Sequence, residues 1–285
     1  MASDIIALFK PKITIMALML AISGMMQANS YSKPSLANAF FSLLAIALLI
    51  ASACALNMYI ERNSDGLMER TKNRPLPSGR LSPTIALILG IFGLSISNML
   101  IFYYCGNLTF YLSLASVGIY LFFYTPLKPI SSSALFIGSI PGAMPVMLGY
   151  VARSDAIDEK AIALFAWAYL WQIPHFLAIS IFREKEYEKA NIPVISSVYG
   201  VKRAKTLILG SAWLLIGATY FLMITDVMGG MWIAASLILN LWFLFSCHKD
   251  KSALSKDLWA QKIFKASLVY QSLIFFFITA NAIVT

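Results

Sequence analysis

NMYIERNSDGLMERTKNRPL, residues 57–76, follows an apolar run of about twenty residues, the length that crosses a bilayer core. The chain avoids charge elsewhere, yet it places Asn57, Glu61, Asp65 and Glu69 here at intervals of four. Acids at i and i+4 on a helix repel by a few tenths of a kcal/mol per pair, and a solvated helix normally alternates acid with base. A compensating cation is therefore expected beside this row. If the helix of the apolar run continues past the membrane surface, Asn57, Glu61 and Asp65 share one face and Glu69 extends it. A second row, Arg62, Gly66, Arg70 and Arg74, runs one residue on. Pro75 and Pro77 are then expected to end the helix.

The surroundings of this stretch set the class. Of 285 residues, 59% are hydrophobic and only 12% charged, about half the charge of a soluble domain. Apolar runs long enough to span a bilayer recur at about 13–28, 37–60, 84–104, 108–124, 133–151, 161–182, 206–225, 230–247 and 264–283. The expectation is an all-α, polytopic membrane helical bundle of about nine transmembrane helices, with residues 1–285 forming one integral membrane domain. Short connections leave no room for a separate soluble unit. No small-x-small cleavage site follows the first run, so it is expected to be retained as a helix. Cys54, Cys105 and Cys247 lie in or beside predicted spans, which suits apolar packing and not a disulfide framework.

A net charge of +9 invites a nucleic-acid partner, but topology accounts for it without one. With the N-terminus cytoplasmic, every basic residue except Lys33, Arg153 and Lys160 falls on the inner side, as the positive-inside rule requires. The two longest polar connections, 61–83 and 183–205, both follow an even-numbered span and open on that same side, hinting at two loosely similar halves. Residues 248–263 read as an interfacial segment with Trp259 as its aromatic anchor.

Three motifs carry chemistry. The oxygens of Asn57, Glu61 and Asp65 suit Mg²⁺, a cation commonly shared with substrate phosphates, and the neighbouring arginines suit the same phosphates through forked hydrogen bonds. Acid and base rows at a membrane edge therefore suggest a diphosphate bound through magnesium. In REKEYEKA, residues 183–190, Glu184 and Glu188 repeat the repulsive spacing while Lys185–Glu188 and Glu186–Lys189 pair favourably. A second metal pole and a surface helix fit this stretch equally. WQIPHF, residues 171–176, puts Gln172, Pro174 and His175 inside the sixth span, where polar groups must face protein or a cavity. His175 there can ligate iron, move a proton or donate a hydrogen bond.

NMYIERNSDGLMERTKNRPLPSG resembles the first Asn/Asp-rich motif of the UbiA superfamily of intramembrane prenyltransferases. WQIPHF with REKEYEKANIP, YTPLK and GAMPVMLGY resembles, more narrowly, its haem-farnesylating branch. The resemblance covers nearly the whole chain and implies a UbiA-like fold in the bacterial inner membrane, with the active-site loops cytoplasmic. It further implies transfer of farnesyl from farnesyl diphosphate to a vinyl group of haem B, with addition of water. The product would pass to a haem A synthase or a terminal oxidase assembly. By position, Asn57, Glu61 and Asp65 would hold Mg²⁺ as the only cofactor, while Arg70, Lys72, Arg74 and Lys128 would bind the diphosphate. His175, with Gln172 beside it, would serve the haem side, as iron ligand or by positioning the water. Glu184, Glu186 and Tyr187 would form the second acidic motif, with Glu186 where the branch usually has Asp. Glu61 likewise stands where many members carry Asp. An aromatic prenyltransferase of quinone synthesis would share the diphosphate site but would not require WQIPHF. A transporter would need polar groups along a path, whereas here they gather at one face.

Overall fold

The computed structural model describes residues 2–28, 35–248 and 255–284, and among these it is helical throughout its regular structure, with no strand. The elements are α1 (Ala2–Leu8), α2 (Pro11–Gln27), α3 (Leu36–Ile60), α4 (Arg62–Leu67) and α5 (Pro83–Gly118). A π-helical turn (Ile119–Tyr124) and the one-turn α6 (Thr125–Leu127) continue α5. Then come α7 (Ala134–Ser154), α8 (Glu159–Phe182), α9 (Glu184–Lys189), α10 (Ile195–Ile224), α11 (Gly230–His248) and α12 (Lys256–Val284). Polar caps mark several starts: the Ser35 hydroxyl accepts from Asn38 N at 3.1 Å, and the Asp158 carboxylate from Ala161 N at 3.0 Å. Such caps satisfy amides that the helix itself leaves unpaired.

Helices α3, α7, α8, α10, α11 and α12 are each long and apolar enough to cross a bilayer, and α1 with α2, bent by 46°, makes a further candidate. The run from Pro83 to Leu127 is 45 residues, about 68 Å if straight, twice a bilayer core of about 30 Å. It is not straight. Gly106 adopts φ 81°, ψ 175°, a region that only glycine populates freely, and the chain folds back there. Phe102 and Phe110 stack edge-to-face with centroids 5.6 Å apart, and Ser113 Oγ donates to Asn98 Oδ1 at 2.8 Å. In a continuous helix those pairs would lie about 12 and 22 Å apart. The expected third and fourth spans are therefore the arms of one hairpin, so the described residues hold eight spans, or nine with the bent α1–α2 pair. The protein is a multi-pass membrane protein.

The core lies between α2, α3, α7, α8, α10 and α12, with Trp167, Tyr150 and Tyr270 fully enclosed. Large apolar side chains such as Phe40, Phe92 and Phe102 are exposed on the outside, where lipid would cover them. At the α2–α7 crossing the backbones touch: a Cβ on Gly24 would sit 1.9 Å from Val146 O, and one on Gly149 1.9 Å from Ala21 O. Small residues permit such approach where no hydrophobic force drives helices together in lipid.

Two expectations change. Trp259 is 2% exposed, because α12 already begins at Lys256 and turns the indole inward, under the Lys205 ammonium 4.8 Å from its ring. It is a packing residue and not a lipid-facing anchor; most of the polar stretch ahead of it, 249–254, and Lys33 lie outside the described residues. The helix expected to reach Pro75 stops at Leu67. Gly66 weakens its last turn, and Thr71 Oγ1 donates at 2.7 Å to Asp65 O, a carbonyl that a continuing helix would offer to the amide of residue 69.

Candidate active site

The acid row forms where α3 runs on into α4. Glu61 N donates to Asn57 O at 2.9 Å and Asp65 N to Glu61 O at 2.8 Å, so Asn57, Glu61 and Asp65 rise along one helical face. Asn57 and Asp65 are buried, at 2% and 1% exposure. Glu69, expected as the fourth member, lies beyond the helix end, where it is exposed and pairs with Lys72 Nζ at 2.5 Å.

Each member of the row meets its own cation. Lys10 Nζ donates to Asn57 Oδ1 at 2.9 Å, Lys128 Nζ to Glu61 Oε1 at 2.7 Å, and Arg74 Nη1 to Asp65 Oδ2 at 2.6 Å. The three arrive from separate places: the bend between α1 and α2, the turn after α6, and the segment after α4. Asn57 Nδ2 completes its bonding on Thr125 Oγ1 at 3.1 Å. Charge matching of this kind answers the repulsion built into the spacing. Burial alone would raise the Glu61 carboxyl, but the Lys128 and Lys10 ammoniums outweigh it and hold Glu61 below its usual range. Lys128 responds oppositely: burial opposes its charge, yet neighbouring Tyr124 and Glu61 hold it firmly protonated.

Among the arginines and lysines expected at the diphosphate, Lys128 and Arg74 line the row; Arg70 and Lys72 do not. Arg70 reaches the second polar loop, donating to Tyr187 Oη at 3.0 Å with its guanidinium 5.0 Å from that ring and its Nε 4.0 Å from Glu186. Lys72 stays with Glu69 at the surface. Arg62 folds back on Tyr59, donating to its carbonyl at 2.7 Å.

The second loop docks on the first. Tyr187 packs on Met68, Ala190 and Ile192, Glu186 sits between Arg183 and Arg70, and Glu184 pairs with Lys256 at the start of α12. These carboxylates join elements, and no three His, Cys, Asp or Glu side chains converge as a metal cage among the described residues. On the row itself, an amide and two carboxylates would leave half the positions of an octahedral Mg²⁺ to water and phosphate, in keeping with an ion that usually retains several waters and shares substrate phosphates. The donor set fits it.

On α8, His175 is 9% exposed and lies between the rings of Trp171 and Phe264, each with its centroid 4.9 Å away. Its Nδ1 is 2.8 Å from Ser267 Oγ on α12. Gln172 donates to Ser139 O at 3.2 Å, against Gly142 of α7. Lys10, on Asn57, and Ser267, on His175, are contacts that sequence reasoning passed over. Lys10 read as an orientation signal; its only local mark is the following proline, which starts α2.

The UbiA prenyltransferase family matches residues 17–269. This chain belongs to that family. The protoheme IX farnesyltransferase of Myxococcus xanthus (strain DK1622) is 36% identical over 269 residues, covering 94% of the chain and 91% of that protein. The protoheme IX farnesyltransferase of Sorangium cellulosum (strain So ce56) is 39% identical over 234 residues, covering 82% and 84%. The UbiA fold is equally plain in solved structures. The apo UbiA homolog from Aeropyrum pernix K1 superposes with a TM-score of 0.76 at 20% identity, over 95% of this chain and 97% of that one. The UbiA homolog from Archaeoglobus fulgidus bound to GPP and Mg²⁺ gives 0.66 at 16%, over 97% and 99%.

Proposed function

We propose that this UbiA-family protein transfers the farnesyl group of farnesyl diphosphate to a vinyl group of haem B, adding water and releasing diphosphate. The observation that carries the reading is the Asn57–Glu61–Asp65 row with a cation on every member, in a chain whose near-full-length relatives are protoheme IX farnesyltransferases. Asn57, Glu61 and Asp65 would hold Mg²⁺, which when bound with the diphosphate neutralises and polarises the leaving group. Lys10, Lys128 and Arg74 already meet at these oxygens, so a diphosphate placed there lies within their reach. Arg70 and Lys72, on the same loop segment, stand further out and serve the entrance.

The reaction balances as follows. The allylic C–O bond breaks with its electron pair on the diphosphate, where the three cations stabilise the growing charge; preorganised groups of this kind are usually the largest catalytic contribution. The vinyl π pair of haem B then bonds to the farnesyl carbon, and water adds to the remaining cationic carbon and loses a proton. The apolar interior keeps water from the farnesyl cation until that bond has formed. His175 serves the haem side, as iron ligand or by positioning the water. Glu184, Glu186 and Tyr187 hold the second loop over the first through Lys256 and Arg70. We place the enzyme in a bacterial inner membrane with its N-terminus and polar loops cytoplasmic, delivering haem O to a haem A synthase or an oxidase assembly.

Purified protein supplied with haem B, farnesyl diphosphate and Mg²⁺ is expected to release diphosphate only when haem is present. Asp65→Asn keeps the shape of the side chain and removes its charge, and is expected to slow that release by about 10²–10³-fold. Full Mg²⁺-dependent release by Asp65→Asn would remove the row from the mechanism.

A further inference from the structure

His175 is hydrogen-bonded through one ring nitrogen and leaves the other open. Ser267 Oγ has a single proton and two acceptors within reach, Phe264 O one turn back on α12 at 2.7 Å and His175 Nδ1 at 2.8 Å. When that proton goes to the helix's own carbonyl, as serine hydroxyls in helices commonly arrange, the oxygen accepts from His175 Nδ1. In that arrangement a neutral His175 carries its proton on Nδ1, because a hydrogen bond needs one donor and the hydroxyl has used its own. Ser267 is itself anchored a second time: Trp171 Nε1 donates to its backbone carbonyl at 2.8 Å. The Trp171 and Phe264 rings flank the imidazole and set its plane. The other ring nitrogen, Nε2, has no partner among the described residues and is not sealed within the packing.

We propose that Ser267 is a positioning residue that holds His175 as the Nδ1–H tautomer and so aims an Nε2 lone pair at the iron of haem B. The inference rests on the haem-farnesylating reading above and extends it by naming the working atom and the residue that sets it. Metal-binding histidines are commonly held this way, with the remote ring nitrogen donating to an oxygen; losing that oxygen typically lowers metal affinity 10–100-fold. Free imidazole side chains have no such lock.

Two measurements on the full-length protein test this. The chain holds two histidines, and His248 is exposed, so His248→Ala leaves His175 as the sole signal in ¹⁵N-imidazole spectra of haem-free protein. The expected spectrum shows a protonated Nδ1 and an unprotonated Nε2, and Ser267→Ala is expected to convert it toward the opposite tautomer. A protonated Nε2 in the parent protein, or an unchanged spectrum in Ser267→Ala, would overturn the proposal whatever the substrate. Titration with haem B, followed in the Soret band, then reads the iron. Ligand-field bands of an imidazole-bound iron are expected, lost in His175→Ala and weakened about tenfold in affinity in Ser267→Ala. If haem binds with its iron spectrum unchanged in His175→Ala, the iron assignment fails while the farnesylating reading survives. If haem does not bind the parent protein at all, the reading itself fails.

Discussion

Asp65 is 1% exposed, and its carboxylate rests on one guanidinium, Arg74. Removing one partner of a buried pair typically costs about 3–5 kcal/mol because the other charge is left uncompensated. The row's spacing was legible in the sequence because helix geometry is local: residues four apart share a face whatever surrounds them. Its partners were less so. Lys10 lies 47 positions away from Asn57, and only the bend between α1 and α2, with Lys10 itself at φ 45°, brings its ammonium down. Lys10→Ala is expected to raise the KM for farnesyl diphosphate about tenfold with a smaller change in KM for haem B, one lost charge-assisted contact amounting to about 1.5–3 kcal/mol. Equal effects on both substrates would place Lys10 outside the diphosphate site. Glu61 supplies a pH signature. Its carboxyl is held below the usual 4.5, so the Glu61–Lys128 pair stabilises the fold above that value and is lost as pH falls through the depressed one. Unfolding temperature in detergent, without metal or substrate, is therefore expected to hold down to about pH 4.5 and drop below it. Glu61→Gln should lack that particular step, and an identical acid limb in both proteins would contradict the pairing.

At the scale of elements, hydropathy located the spans because each helix is apolar on nearly all sides and needs no partner to reveal it. The gap between the third and fourth runs coincides with Gly106, whose φ of 81° turns one long helical stretch into a hairpin. Any side chain there must enter a region that costs about 1–3 kcal/mol. Gly106→Ala is expected to lower the unfolding temperature in detergent, whereas Gly210→Ala, with open space around its Cβ position, is expected to be neutral or stabilising. Equal melting of the two variants would mean that Gly106 carries no conformational load. What the sequence concealed was where α4 stops. Prolines at 75 and 77 were the visible breakers, but the helix yields earlier, at Leu67, to a tertiary-like hydrogen bond from the Thr71 hydroxyl. That early stop frees Arg74 to turn back onto Asp65 and Arg70 to turn outward onto Tyr187.

Across the whole molecule, α3 and α8 each end in a six-residue helix, α4 and α9, and the chain segments that follow meet at one end of the bundle. The two long polar connections touch there, with Arg70 lying over Tyr187 and Met68 packing with Ala190 and Ile192. The net charge divides into two roles. For most basic residues the positive-inside rule remains the expectation, while Lys10, Lys128 and Arg74 meet the acid row. The proposed haem side was legible only as a motif, WQIPHF; the hydrogen bond on His175 comes from Ser267, 92 positions away, which no local pattern marks. The central claim joins these two regions in a single reaction, and one product analysis tests it. Protein in detergent is given haem B, farnesyl diphosphate and Mg²⁺ in ¹⁸O-labelled water, and the haem is examined by mass spectrometry. The expected product is haem heavier by one farnesyl group and one ¹⁸O-labelled hydroxyl. Unchanged haem, with farnesyl transferred instead to an added aromatic acid, would contradict it.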